Sequence, residues 1–293
     1  MDNNLQPFSS CQICFLCQSI LQHDEPTKEW KALSCNSCEV TVINPIAESI
    51  NNAMYGYSIS EYRFEQTRLE INNTRIINIL RKYKLSGKVL DVGCGYGLFS
   101  SQLLKYGDYE LDAIEPVNDT VYLQKTKANV YKMSVEEFLN RKSKQRYDII
   151  ILNDIIEHLD DPIGMLTKLK GLLQKDGVML IQTPNYRSVM QYLSKEWSWW
   201  MPEDHRFVLS PKSFRILCKK AGLHDIYFTT YEQPYDFFQN ISGSIAAMQN
   251  RMMRIPARIL LSLIGKPIYY FTRGIIGKAG YGGLLLAIVQ AED

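Results

Sequence analysis

The chain has 293 residues, of which 46 % are hydrophobic and 22 % charged, with 33 basic residues against 31 acidic ones. This composition is that of a globular protein and excludes collagen-like and disordered chains. The near balance of charge gives no general reason to expect nucleic-acid binding. Residues 1–10 are polar and do not resemble a secretory signal, so we expect a cytoplasmic location.

A cysteine-rich module opens the chain. Cys14-x-x-Cys17 and Cys35-x-x-Cys38 are separated by seventeen residues, and Cys11 lies just before them. Paired thiolates at this spacing are typical of a tetrahedral zinc ribbon. The pattern predicts a zinc ribbon over residues 1–45 with these four cysteines as ligands, and Cys11 stays open as an alternative to Cys14. Four thiolates close the coordination shell, so this zinc would be structural or would orient the substrate.

Residues 46–293 predict a second, larger domain of the α/β class. A helical connector precedes position 84, and short apolar runs then alternate with helical stretches. Ser210, Pro211 and Gly222 bound one helix as its cap, its first turn and its end. The strand-like runs lie at 88–92, 110–114, 148–152, 178–182, 225–231 and 284–289. This alternation predicts a largely parallel sheet with helices on both faces.

A glycine-rich turn follows the first of these strands. Asp91 precedes Gly93, Gly95 and Gly97, and Glu115 ends the next strand twenty-two residues beyond Gly93. Glycines let the backbone approach a ligand closely, and an acid at that distance can hold two ribose hydroxyls. A dinucleotide site is the competing interpretation, but its third glycine position would hold Leu98 or Ser100.

The form D-x-G-x-G-x-G instead resembles motif I of class I S-adenosylmethionine-dependent methyltransferases. Residues 147–159, 172–177 and 183–185 are similar to the fourth strand, the following turn and the end of the fifth strand in that family. The resemblance implies a Rossmann-like seven-stranded sheet and S-adenosylmethionine as cofactor. It implies that the following residues contact this cofactor: Asp91, Gly93, Gly95, Glu115, Ser134, Val135 and Asn153. Within that set, Glu115 would hold the ribose, Ser134 and Val135 would flank the adenine, and Asn153 would lie near the methionine portion.

Two histidines are candidates for the base that removes a proton from an acceptor hydroxyl. His205, our first choice, follows an aromatic run at 197–200, and His158 follows Glu157 beyond the fourth strand. Asp154-x-x-Glu157-His158 also resembles the E-x-x-E-H metal site of ubiquinone-pathway O-methyltransferases. Oxygen and imidazole ligands suit a second divalent metal, which we keep as an alternative.

An apolar segment at about 240–280 interrupts the alternation of strands and helices before the last strand. Its part from 251 to 280 carries six cations and no acid, and Arg258, Lys266 and Pro267 interrupt the run at 255–271. Three interpretations stay open: peripheral contact with anionic lipid, a lid over an anionic acceptor, and a packed helical insertion. The aromatic run at 197–200 can likewise wall a pocket or belong to the core.

Three functions stay open. We expect a methyltransferase that acts on oxygen of a small-molecule acceptor, such as a sugar, a lipid-linked compound or a natural product. An RNA methyltransferase is an alternative, but residues 1–45 hold five acids against two lysines, which disfavours phosphate binding. A non-catalytic cofactor-binding scaffold is the third.

Overall fold

The computed structural model describes residues 13–23, 30–45, 58–142, 144–193, 197–202, 204–246, 248 and 250–292. Cys11 and four of the five acids counted in the N-terminal module lie outside these residues. The described strands are β1 (Gln22–His23), β2 (Trp30–Ser34), β3 (Thr41–Pro45), β4 (Gly87–Val92), β5 (Tyr109–Ile114), β6 (Asn129–Tyr131), β7 (Tyr147–Asn153), β8 (Leu173–Pro184), β9 (Phe207–Val208), β10 (Leu223–Tyr231) and β11 (Leu284–Ala291).

Seven of these strands form the central sheet, in the order β10-β11-β8-β7-β4-β5-β6. The inner strands run parallel, with Val92 aligned to Ile114 on one side and to Leu152 on the other. The last strand, β11, is antiparallel to both β8 and β10. The predicted seven-stranded methyltransferase sheet is therefore confirmed. The sequence pattern did not show β6, whose three residues are too few for a clear alternation.

Helices cover both faces of this sheet because alternate residues of each inner strand point to opposite sides. In β7, Ile149 and Ile151 pack with the helix that contains Ile76 and Leu80, whereas Ile150 packs with the opposite layer. The described helices are α1 (Ile59–Phe64), α2 (Gln66–Leu80), α3 (Leu98–Leu103), α4 (Val135–Lys142), α5 (Pro162–Lys170), α6 (Val189–Leu193), α7 (Pro211–Lys220), α8 (Pro234–Ala246), α9 (Arg251–Leu260) and α10 (Lys266–Lys278).

Helix α7 begins and ends as its sequence predicts. The Ser210 hydroxyl accepts a hydrogen bond from the Ser213 amide at 3.1 Å, which satisfies a donor at the open end of the helix. Pro211 occupies the first turn, and Gly222 adopts a φ of +70° just beyond the last turn.

The N-terminal module builds a second, four-stranded sheet of order β1-β2-β3-β9. Its last strand comes from far along the chain, because β9 pairs antiparallel with β3 through Thr41 opposite Val208 and Val42 opposite Phe207. The rings of Phe15 and Phe207 also lie 5.1 Å apart. The module is therefore joined to the larger domain by backbone hydrogen bonds as well as by side-chain packing.

The segment before the last strand forms α8 and then one long helix. Helices α9 and α10 are joined without a break by a wider π-helical turn, Leu261–Gly265, so that the helix runs from Arg251 to Lys278. We call this the basic helix. Within the described part of the chain this helix is long and apolar enough to cross a membrane. Only 6 % of its most apolar 18-residue stretch is buried inside the protein. Such exposure disagrees with a packed helical insertion, which is one of the three interpretations that the sequence leaves open for this segment.

Candidate active site

The glycine loop lies at the carboxyl edge of the central sheet, where open α/β sheets bind ligands. Gly93, Gly95 and Gly97 have φ values of +69°, +56° and +85°. A Cβ atom on Gly93 would lie 2.2 Å from Cδ1 of Ile155, whereas one on Gly95 would have no atom within 4 Å. Gly93 is therefore favoured by its positive φ and by the Ile155 side chain that packs on it, and Gly95 leaves open space beside the backbone, where a ligand can approach.

Glu115 ties the loop to the end of the next strand. Its Oε2 accepts a hydrogen bond from the Gly95 amide at 2.9 Å, and its Oε1 accepts from the amides of Val117 and Asn118, each at 2.9 Å. The residue is only 5 % exposed. A carboxylate can accept about four hydrogen bonds, so Oε2 retains capacity for a ligand hydroxyl beside Gly95.

Asp91 lies beneath the loop in β4. The Ser100 hydroxyl donates a hydrogen bond to its Oδ2 at 2.6 Å, and the residue is 3 % exposed. Burial is the main cause that raises the pKa of this carboxyl to about 7. The hydrogen bond from Ser100 lowers the pKa by less than burial raises it, and the charge of Glu115 raises it further. Asp91 therefore fixes the start of α3 to β4 through Ser100.

The other predicted cofactor residues follow neighbouring strands at the same edge. Asn153 ends β7, and its Oδ1 is buried without a hydrogen-bond partner. Ser134 and Val135 follow β6 at the start of α4, where the Ser134 hydroxyl accepts from the Glu137 amide at 3.2 Å. The fold thus brings these residues to the edge that holds the glycine loop, and the oxygen of Asn153 remains available to a ligand.

Glu157, His158 and His205 form a compact group beyond the end of β7. One potential ligand atom from each lies within 4.8 Å of the others. The ring centroids of the two histidines are 4.9 Å apart, and His205 is 3 % exposed. The sequence-predicted catalytic residues therefore come together in space.

Hydrogen bonds define the free atom of each imidazole. Nδ1 of His205 donates to the carbonyl of Trp199 at 2.9 Å, because a carbonyl oxygen only accepts. Nδ1 of His158 lies 3.1 Å from the carbonyl and 3.3 Å from Oδ1 of Asp204. Nε2 is therefore the ring nitrogen that each histidine can offer to a proton or a metal.

The charges in this group differ sharply. Burial and the charge of His158 lower the pKa of His205 to about 4. Burial also disfavours the charged form of His158, but the hydrogen bond with Asp204 and the charge of Glu157 raise its pKa to about 9. Burial raises the pKa of Glu157 to about 8. Its Oε2 accepts from the Thr183 hydroxyl at 3.0 Å, and its Oε1 is buried without a partner.

The group differs from the predicted second metal site in one member. Asp154 does not join Glu157 and His158, because both of its carboxylate oxygens accept from Nε2 of Gln182, at 3.2 and 3.0 Å. His205 takes its place among the described residues. A histidine forty-seven residues after His158 has no local spacing signal, which is why the sequence pattern did not include it.

The four predicted zinc ligands cluster in the N-terminal module. The sulfurs of Cys14 and Cys38 are 3.5 Å apart, those of Cys17 and Cys35 are 3.3 Å apart, and all four lie within 4.8 Å of one another. A zinc ion with Zn–S bonds of about 2.3 Å requires sulfurs separated by about 3.8 Å. The donor set and its dimensions therefore fit zinc.

Both halves of the cluster have the same backbone. The amides of Gln18 and Glu39 donate to the carbonyls of Cys14 and Cys35, at 3.0 and 2.7 Å. Gln18 and Glu39 have φ values of +63° and +65°. Each C-x-x-C pair thus lies in an identical tight turn, as two equivalent knuckles around one ion would.

The cysteine module also reaches the histidine group. Strand β9 begins two residues after His205, and the Arg206 carbonyl accepts from the Ile43 amide at 2.9 Å. The Arg206 amide donates in turn to the Glu157 carbonyl at 2.8 Å. Arg206 therefore connects the cysteine module, through Ile43, to the backbone of Glu157 and to the neighbouring His205.

Trp197 packs with Ile43 and Val208, so this member of the aromatic run belongs to the core.

A cleft of about 950 Å³ opens at the carboxyl end of β10, between α2 and α10. Tyr231 forms part of its wall, accepts a hydrogen bond from Asn72 at 3.3 Å, and donates to Oε1 of Gln182. Gln182 then donates to Asp154 at the end of β7. Tyr231 and Gln182 carry no sequence signal of a functional role other than their positions at the ends of strand-like runs.

Comparison with known proteins identifies the family. A family model described as a methyltransferase domain matches residues 61–227, which is more than half of the chain. The chain belongs to this methyltransferase-domain family. A crystal structure of an S-adenosylmethionine-dependent methyltransferase from Archaeoglobus fulgidus has the same fold, with a TM-score of 0.53 and 18 % identity. The alignment covers 79 % of this chain and 99 % of that one.

Curated relatives share part of the chain. A ubiquinone biosynthesis O-methyltransferase from Cereibacter sphaeroides is 28 % identical over 151 residues, which are 47 % of this chain and 61 % of the relative. The corresponding protein from Coxiella burnetii is 33 % identical over 130 residues, which are 42 % of this chain and 54 % of the relative. The chain therefore spans between half and two thirds of the length of these relatives.

The glycine loop fits the cofactor of this family. The open space beside Gly95 and the buried, unpartnered oxygen of Asn153 lie at the same sheet edge, beside the carboxylate of Glu115. The family assignment disfavours the dinucleotide interpretation, whose third glycine the sequence also lacks.

Proposed function

We propose that this protein is an S-adenosylmethionine-dependent O-methyltransferase that acts on a small-molecule acceptor. The observation that carries the proposal is Glu115, which follows β5 and bonds to the amide of Gly95 inside an open glycine loop. Family membership and the names of the curated relatives support the reaction class.

The cofactor would lie along the carboxyl edge of the sheet. Gly93 and Gly95 would line it, Glu115 would accept from the ribose hydroxyls, and Ser134 and Val135 would flank the adenine. The free oxygen of Asn153 supports its placement near the amino end of the methionine portion. When bound, S-adenosylmethionine supplies a methyl group on a positively charged sulfur. The protein's part is then to hold the acceptor oxygen in line with that group.

His205 is the proposed base. Its Nδ1 proton is engaged by the Trp199 carbonyl, so Nε2 carries the lone pair that can take the proton of an acceptor hydroxyl. The bond between Nδ1 of His158 and Asp204 holds the second ring against the first. The rival proposal is a divalent metal bound by Glu157, His158 and His205, which would acidify a bound hydroxyl directly.

The cluster of four cysteines is proposed to hold one structural zinc ion. All four ligands come from the protein, so no coordination position remains for a substrate. Through β3 and β9 this zinc ribbon would hold the backbone on either side of residue 206, and with it the position of His205.

The direct test is methyl transfer from tritiated S-adenosylmethionine to hydroxylated aromatic compounds, sugars, a broad metabolite extract and added RNA, each with and without EDTA. We expect label in at least one extracted small molecule. Label found only in added RNA would replace the proposal with the RNA alternative. Binding of S-adenosylhomocysteine without transfer to any acceptor of a broad metabolite extract would favour the scaffold alternative.

A further inference from the structure

The basic helix exposes an unusually large apolar surface. Monomeric soluble proteins rarely leave such large contiguous patches in water. The exposed side chains include Met252 at 86 %, Leu263 at 71 % and Phe271 at 84 %. The further members of this surface are Met253, Ile255, Ile259, Leu260, Ile264, Ile268, Tyr270 and Ile275.

The charges on the same helix all have one sign. It carries six cations and no acidic residue: Arg251, Arg254, Arg258, Lys266, Arg273 and Lys278. Within the described residues none of the six forms an ion pair. A surface that combines exposed apolar side chains with unpaired cations suits a partner that is apolar inside and anionic outside. A second copy of this chain fits poorly, because it would bring twelve like charges together.

Helix α8 packs against the basic helix and is itself fixed to the same domain. The rings of Phe237 in α8 and Tyr269 in α10 stack at 4.1 Å, and Asn240 of α8 donates to the Ser198 hydroxyl at 3.1 Å. Near the carboxyl end of the basic helix, the Thr230 hydroxyl donates to the Gly277 carbonyl at 2.6 Å. Only four residues separate α8 from Arg251. A crossing helix would have to carry its first residue to the far side of the bilayer, which this tether opposes.

We propose that the basic helix lies in the headgroup region of an anionic phospholipid bilayer, with its apolar side chains among the acyl chains and its cations against lipid phosphates. Arg273 and Lys278 also line the cleft at the end of β10. The bound helix would therefore bring the mouth of this cleft to the membrane surface. If the proposed function holds, an acceptor could enter directly from the lipid phase.

Vesicle flotation tests this proposal on the full chain. Phosphatidylcholine vesicles with and without about 30 % phosphatidylglycerol are compared for the wild type, for Ile259→Asp/Phe271→Asp and for Arg254→Glu/Arg258→Glu. Each surface cation near an anionic bilayer contributes to the attraction between protein and lipid. Arg254→Glu/Arg258→Glu reverses two of these charges and should weaken vesicle binding roughly tenfold or more. The apolar variant should also lose binding. Leu85→Asp is the matched control, because Leu85 is 64 % exposed outside the basic helix and does not line the cleft, and it should bind like the wild type.

Calorimetric titration with S-adenosylhomocysteine accompanies each variant. Unchanged affinity shows that the variant is folded, and it separates failure of this proposal from failure of the proposed function. Equal binding of all variants to vesicles, or no binding of the wild type to anionic vesicles, would overturn the proposal. A wild-type dimer that Ile259→Asp/Phe271→Asp converts to a monomer, with no vesicle binding, would assign the surface to a second copy instead.

Discussion

The glycine loop and the basic helix belong to the same domain, but they are stabilised in opposite ways. The loop is fixed by its own chain, since Gly93 packs on Ile155 and the Gly95 amide bonds to Glu115. The basic helix leaves most of its apolar side chains exposed. The loop therefore matches a proposed cofactor site that the chain builds by itself, whereas the basic helix matches a surface that is proposed to need a membrane.

Loss of zinc should have the largest effect on the packed part of the molecule. Cys35→Ser/Cys38→Ser removes two of four ligands, so the zinc content should fall from one ion per chain to none, as metal analysis by mass spectrometry would measure. Turnover should fall as well, because β9 follows His205. Cys218→Ala removes a buried thiol outside the cluster and should keep the zinc. A double variant that still holds one zinc per chain would refute the ligand assignment.

Replacement of the proposed base should affect turnover without weakening cofactor binding. Loss of a general base typically costs ~10²–10⁴-fold in rate, so His205→Ala should reduce kcat by that range while the affinity for S-adenosylhomocysteine stays nearly constant. His224→Ala is the control, since His224 is an exposed histidine on β10. Full activity of His205→Ala would exclude His205 as the base. Wild-type activity that EDTA abolishes would favour the metal alternative.

Asp91→Asn should stabilise the protein in a pH-dependent manner. The pKa of Asp91 is raised from 3.8 to about 7 in the folded state, mainly by burial. Between these values the unfolded chain releases a proton that the folded chain retains, so the wild type loses stability as the pH rises. The melting temperature of Asp91→Asn relative to wild type should therefore increase across this window and level off above it. Asp160→Asn, at an exposed carboxylate, should show no such trend. A difference in melting temperature between Asp91→Asn and the wild type that stays constant from pH 3.8 to about 7 would contradict the raised pKa of Asp91.

The parts of the molecule that sequence predicts are those governed by local backbone chemistry. Gly93 and Gly95 need positive φ values, Ser210 caps a helix, and each C-x-x-C pair forms a tight turn, so their spacing is visible in the chain. The grouping of His205 with Glu157 could not be read in this way, because it depends on how β9 joins the second sheet.

The same limit applies to the cleft and to the basic helix. Gln182 and Tyr231 meet only after β8, β11 and β10 assemble, and nothing in their local sequence marks the hydrogen bond between them. The helical pattern of residues 251–278 is visible in sequence, but its exposure is a property of the assembled fold. The sequence therefore names the predicted cofactor residues one by one, whereas it leaves three interpretations for the segment that forms the basic helix.

Calorimetric titration with S-adenosylhomocysteine measures whether the glycine loop and Glu115 bind S-adenosylmethionine, as we propose. Glu115→Ala leaves bound ribose hydroxyls without an acceptor, at a cost of roughly 1–3 kcal/mol, or about 5- to 150-fold in Kd. Glu110→Ala, an exposed glutamate on the preceding strand, should bind like the wild type. Equal affinity of all three proteins, or a wild type that binds NADH and not S-adenosylhomocysteine, would show that Glu115 and the glycine loop do not form an S-adenosylmethionine site.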